Sequence, residues 1–109
     1  NVIGNVKNKI CIILDDLVDS GGTIVNAAKE LKNKGAHEVY AYVVHGVLTG
    51  KAVDKINNSK IKKFIITNSI DNSKKVSKSK KFETVSIAKL FANAIYSISS
   101  SKSVSKLFK

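Results

Sequence analysis

The chain contains no proline, methionine, tryptophan or arginine, and a single cysteine. A natural translation product starts with methionine, so the sequence reads as a C-terminal fragment of something longer, with Asn1 not the original N-terminus. With only Cys11 present, no internal disulfide is possible. In a strand pattern this thiol reads as a small buried hydrophobe, in keeping with a reducing, cytoplasmic setting. No apolar run approaches the ~18 residues of a membrane span, and no signal-peptide pattern is present; Val39 to Val44 is far too short. The net charge of +11 comes from lysine alone. The lysines gather at 29–34, 51–63 and 74–81. Without arginine for bidentate base readout, or aromatics interleaved for base stacking, this basic balance does not indicate a nucleic-acid partner. Abundant Lys, Asn, Ser and Ile without Pro, Trp or Arg has the look of codon bias. At 109 residues the chain is one domain or part of one, long enough for a modest core.

What is present is concentrated between Ile12 and Thr23, Ile-Ile-Leu-Asp-Asp-Leu-Val-Asp-Ser-Gly-Gly-Thr. An apolar strand ends in two adjacent carboxylates, Asp15 and Asp16. Asp19, Ser20, Gly21, Gly22 and Thr23 follow, just before a helical pattern. Glycines let the backbone turn tightly and approach an anion. The free N–H groups and dipole of a helix start favour a phosphate, and Ser20 and Thr23 offer hydroxyl donors. Two carboxylates suit the vicinal hydroxyls of a ribose, or a Mg²⁺ ion with its preference for oxygen. Asp-Ser-Gly-Gly by itself is a common turn in which Ser20 or Asp19 would cap a helix. The acid pair favours a ligand, because two unpaired, mutually repelling carboxylates have no packing value.

The remaining pattern alternates strand and helix. Lys9 to Leu14 is a continuous apolar run bounded by charge, as in a strand covered on both faces. Ile24, Ala27, Ala28 and Leu31 predict a helix over 22–34 stopped by Gly35. Val39 to Val44 is a second strand. A short helix over 50–57 follows, with Thr49 as N-cap and Ala52, Val53 and Ile56 inward. Lys63 to Thr67 is a third strand, and the Lys/Ser-rich stretch 68–81 reads as a mobile loop. Phe82 to Val85 is a short strand. Ser86 caps a helix carrying Ile87, Leu90, Phe91, Ala94, Ile95 and Ile98. Residues 97–105 are serine-rich. Such alternation implies right-handed βαβ units and a parallel, Rossmann-like α/β sheet. Ligands then bind beyond the carboxyl ends of the strands, where Asp15, Asp16, His45 and Thr67 all fall. His45 reads as a hydrogen-bonded structural residue and His37 as solvated. Asn68 and Ser69 lie near the ligand-side rim, and Thr67 is a structural position.

The stretch through Asp15, Asp16, Asp19, Ser20, Gly21, Gly22 and Thr23 resembles the phosphoribosyl-diphosphate (PRPP) motif of the type I phosphoribosyltransferase fold. Three further segments are similar to ribose-phosphate diphosphokinases, the PRPP synthetases: 38–47, Ile66-Thr67-Asn68-Ser69-Ile70, and Ser103-Val104-Ser105-Lys106-Leu107-Phe108. The resemblance runs from about Asn5 to Phe108. It implies that residues 1–109 are the C-terminal part of the second of two phosphoribosyltransferase-like domains, with 99–109 a serine-rich tail and at least one sheet edge lacking its partner strand. It also implies an enzyme that moves the diphosphate of ATP to the C1 hydroxyl of ribose 5-phosphate with Mg²⁺, as a homo-oligomer from dimer to hexamer. Asp15 and Asp16 would hold the ribose hydroxyls, and Asp19 to Thr23 would wrap the 5-phosphate, largely through backbone N–H groups. Ser103 and Ser105 match an allosteric phosphate or ADP site. The family's ATP-binding segments, catalytic loop and principal metal ligands lie upstream, so the fragment alone is expected to be inactive and to hold no catalytic residue. The other readings are a non-catalytic regulatory homologue, which often erodes the acid pair or Gly-Gly, and a phosphoribosyltransferase that consumes PRPP. Against the first stand Asp15, Asp16, Gly21 and Gly22; against the second stand the segments at His45 and Ser103.

Overall fold

The computed structural model describes residues 4–89 and Ala92. Its elements are β1 (Ile10–Val18), α1 (Gly22–Asn33), β2 (Glu38–Gly46), α2 (Ala52–Asn57), β3 (Ile61–Thr67), α3 (Ser73–Val76) and β4 (Phe82–Val85). Helical backbone resumes at residue 87, where the Ser86 hydroxyl accepts the Lys89 N–H at 3.4 Å, the expected cap. The serine-rich tail 99–109, with Ser103 and Ser105, lies outside the described residues.

The four strands form one parallel sheet in the order β1-β2-β3-β4, an α/β architecture of the Rossmann-like kind. Consecutive strands step in one direction, so right-handed crossovers bring their helices to the same face. The burial pattern agrees. Val39, Ala41 and Val43 of β2 and Phe64 and Ile66 of β3 share a core with Ile24 and Ala28 of α1 and Ala52 and Ile56 of α2. Phe64 also meets Phe82 of β4 with ring centroids 4.9 Å apart, tying the short last strand to the core.

The opposite face of β1 departs from the expectation of a doubly covered strand. Ile10, Ile12 and Leu14 are 61%, 47% and 68% exposed. The described helices all follow strands that advance one way, so none of them reaches that face. Among the described residues β1 pairs with β2 alone and forms an edge of the sheet. Cys11, on the alternate side, is a free thiol packed against the core.

The strands run further than apolar content indicates. β1 continues through Asp15 and Asp16 to Val18, and β2 to Gly46, because ladder bonding is a backbone property and each strand gives the other a partner: Asp15 lies opposite Val43, Leu17 opposite His45. The helix stop at Gly35 is as expected. Its φ of 97° is open to glycine, and the Gly35 and Ala36 amides donate to the carbonyls of Lys32 and Leu31, a Schellman arrangement. The stretch 68–81, expected to be a loop throughout, contains α3 and a buried Asn72 whose amide donates to Gly46 O at 2.6 Å. Isolated lysines gave no helical period there; the turn is held by contacts with β2.

Glu38, at the amino end of β2, lies far along the strand from the motif. The Tyr40 hydroxyl (2.6 Å) and the Lys62 ammonium (3.0 Å) donate to its carboxylate, holding its pKa below the ordinary 4.5, with the tyrosine bond the larger cause. A carboxyl depressed in the folded state contributes stability above its unfolded pKa and loses it as pH falls through the folded value. Glu38→Gln should therefore lower the melting temperature slightly at neutral pH, where the contribution is in place, and flatten its decline below pH 4.5, so that the variant and the parent chain converge in acid. Phe64→Ala should remove about 3–5 kcal/mol, read from urea unfolding, because it empties a fully buried site shared by two strands.

Candidate functional site

Parallel pairing carries the carboxyl ends of all four strands to one edge, and four loops meet there: 19–21 after β1, 47–51 after β2, 68–72 after β3, and Ser86 after β4. The motif opens this edge. Asp15 and Asp16 are both exposed, inside the last stretch of the ladder rather than beyond it, and the Asp16 N–H donates to Asp15 Oδ1 at 2.8 Å. Neither is paired with a cation among the described residues.

Gly21 is the N-cap of α1, with φ 86° and no side-chain cap. That left-handed backbone favours glycine, and the residue also packs closely: a Cβ there would stand 3.6 Å from Ile56 and 3.7 Å from Ala52. Ser20 and Asp19 turn the chain toward the helix but do not cap it. Gly22 is different. A Cβ built on it meets nothing within 4 Å. The start of α1 thus combines leading N–H groups that no side chain caps with open space where a side chain at Gly22 would stand. Uncapped amide donors at the positive end of a helix dipole, with no side chain at positions 21 and 22, suit an oxyanion group.

Asp19 would repel such an anion if it pointed at it. Its carboxylate instead accepts a hydrogen bond from the Thr49 hydroxyl at 2.5 Å, and its carbonyl accepts the Thr49 N–H at 3.0 Å. The expected role of Thr49 as N-cap of α2 is therefore corrected: the cap position is Lys51, and no side chain caps that helix.

At the neighbouring strand ends, the Thr67 hydroxyl donates to Val44 O at 2.5 Å and accepts the Ser69 N–H at 3.2 Å. The Ser69 hydroxyl lies 3.1 Å from the same carbonyl and 2.8 Å from His45 Nδ1, within hydrogen-bond reach of both. His45 is thus hydrogen-bonded and Thr67 structural, as expected. Asn68 Oδ1 accepts the Ile87 N–H at 2.9 Å. His37 is exposed, 3.8 Å from Glu38. Ser69 was expected at this rim, whereas the Thr49 contact with Asp19 and the burial of Asn72 were not visible from sequence. Their common signal is position immediately after a strand on the same edge as the motif.

No group of three or more His, Cys, Asp or Glu side chains converges to hold a metal among the described residues. Asp15 and Asp16 alone fit a Mg²⁺ ion that keeps several waters and shares its oxygens with a substrate, not an all-protein cage. No helix among the described residues is long and apolar enough to cross a membrane.

Relatives align with nearly the whole chain. A ribose-phosphate pyrophosphokinase of Bradyrhizobium diazoefficiens is 52% identical over 99% of this chain and 34% of its own length. That of Brucella melitensis is 47% identical over 99% of this chain and 35% of its own. The crystal structure of phosphoribosylpyrophosphate synthetase from Mycobacterium smegmatis superposes with a TM-score of 0.76 at 33% identity, covering 91% of this chain and 33% of that one. The chain spans about a third of the length of these relatives.

A side chain added at Gly22 would fill the open space at the start of α1 and so probes whether its main-chain donors can hold an anion. Gly22→Ala should leave the melting temperature within a few degrees, as alanine suits a first helical position, yet weaken inorganic phosphate binding, followed by ³¹P NMR. The profile of the phosphoribosyl synthetase-associated domain matches residues 1–109, and the chain belongs to that family.

Proposed function

We propose that this chain is the ribose 5-phosphate-binding part of a ribose-phosphate pyrophosphokinase, contributed from the C-terminal part of the second phosphoribosyltransferase-like domain. The observation that carries the reading is the uncapped start of α1, with no side chain and open space at Gly22, soon after two exposed carboxylates that no cation pairs among the described residues. The relatives' names support the same substrate chemistry.

In this reading the 5-phosphate sits against the N–H groups of Gly22 and Thr23, with the hydroxyls of Ser20 and Thr23 as further donors. Asp15 and Asp16 accept from the ribose hydroxyls. The chain's task is positioning: it holds the sugar so that its C1 hydroxyl can meet the β-phosphorus of ATP, yielding PRPP and AMP. Asp15 and Asp16 would hold a Mg²⁺ ion, which would supply neutralisation of the charge on the transferred diphosphate. ATP and the catalytic cations are bound by the rest of a longer, cytoplasmic, homo-oligomeric protein, and Ser103 and Ser105 belong to its allosteric phosphate or ADP site. Intact Asp15, Asp16, Gly21 and Gly22 favour this over a non-catalytic regulatory subunit.

Calorimetric titration of ribose 5-phosphate with Mg²⁺ tests the reading. The chain should bind, and Asp15→Ala/Asp16→Ala should lose at least about tenfold in affinity, the equivalent of 1.4 kcal/mol. Absence of binding by a folded chain overturns it. The chain alone should form no PRPP from ATP and ribose 5-phosphate.

A further inference from the structure

We infer that Thr49 is a positioning residue for the phosphate loop: it turns the Asp19 carboxylate away from the anion and fixes the loop's backbone, so that the donors of α1 face the ligand. This rests on the reading of 19–23 as a ribose 5-phosphate loop.

Three consecutive residues after β2 bond to the last residue of β1 and the one that follows it. The Val47 and Leu48 amides both donate to Val18 O, at 2.9 and 3.3 Å. The Thr49 amide donates to Asp19 O and its hydroxyl to Asp19 Oδ1. Main chain and side chain of Asp19 are thus held by one residue. The convergence requires Leu48 at φ 54°, a conformation that side chains rarely adopt. Leu48 is 1% exposed, so burial of its side chain holds the turn in that shape. The same turn's outward carbonyls, Val47 O and Leu48 O, each accept from the Lys75 ammonium at 3.2 Å. Unfavourable backbone that is braced from several sides is a mark of a functional turn.

The turn also places α2. The Ala52 N–H donates to Thr49 O at 3.1 Å, and Ala52 with Ile56 forms the wall against which Gly21 packs. One segment therefore sets both the acidic arm and the glycine of the phosphate loop. The hydroxyl has no task in folding that water could not perform: Thr49 is exposed and caps no helix. Its alignment with Asp19 matters where a carboxylate stands beside a bound phosphate. A freed Asp19 could swing toward the anion and repel it.

The test compares the chain with Thr49→Val, which keeps the shape and removes the donor, and Thr49→Ser, which restores it. Two readouts are taken: the ribose 5-phosphate Kd by calorimetry, and amide hydrogen exchange at residues 19–22. Thr49→Val should raise Kd by about tenfold and speed exchange in the loop, with the melting temperature unchanged, and Thr49→Ser should recover both. If the chain binds ribose 5-phosphate and Thr49→Val binds it equally well, the positioning role is overturned. If the folded chain binds no ribose 5-phosphate, the loop reading fails. Faster exchange in Thr49→Val alone would then uphold Thr49 as the residue that orders the loop, and unchanged exchange would overturn that as well.

Discussion

The parallel pairing of β1 with β2 is the interaction on which the rest of this structure depends. Its register sets Leu17 opposite His45 and Val18 opposite Gly46, so that both strands end level with one another. The two loops that follow must then run side by side. From that adjacency come the bonds of Val47, Leu48 and Thr49 to Val18 and Asp19, and the seat of Gly21 against α2. A shift of this register by one residue would also exchange the faces of Val39, Ala41 and Val43, burying Tyr40 and Tyr42 in their place. The core and the edge loops are consequences of the same ladder.

In the proposed function the edge has to reconcile like charges. A loop that binds an anion benefits from bare amides and a helix dipole, yet this one is surrounded by Asp15, Asp16 and Asp19. Three carboxylates near a phosphate are tolerable only if each has another occupation. Asp19 is bonded to Thr49, and Asp15 accepts the Asp16 amide. In the proposed function the remaining acceptor capacity goes to sugar hydroxyls and to a hydrated cation, which separates the acids from the phosphate both in space and in partner. Glycine at positions 21 and 22 serves two distinct ends: the first a left-handed backbone and a close helix contact, the second empty volume.

Much of this was legible in the chain. The α/β alternation follows from apolar runs separated by a 3.6-residue period at Ile24, Ala27, Ala28 and Leu31, and the stop at Gly35 and the cap at Ser86 are local chemistry that the structure adopts unchanged. The strand ends were less legible, since Asp15 and Asp16 look like terminators while their backbones still have a partner in β2. The exposed face of Ile10, Ile12 and Leu14 was not legible either: a continuous apolar run signals two apolar neighbours, but the order of strands decides where the helices go. Likewise α3 and the buried Asn72 lie in a stretch whose composition alone reads as solvent-facing.

The amino-acid sequence by itself determined the elements, their order, and the place of the acid-and-glycine loop between β1 and α1, because periodicity, capping and left-handed turns act over a few neighbouring residues. Only the tertiary structure decided that Thr49 holds Asp19 instead of capping α2. Those two residues stand thirty positions apart, and nothing local brings a hydroxyl to a carboxylate across that distance; the level ends of two paired strands do.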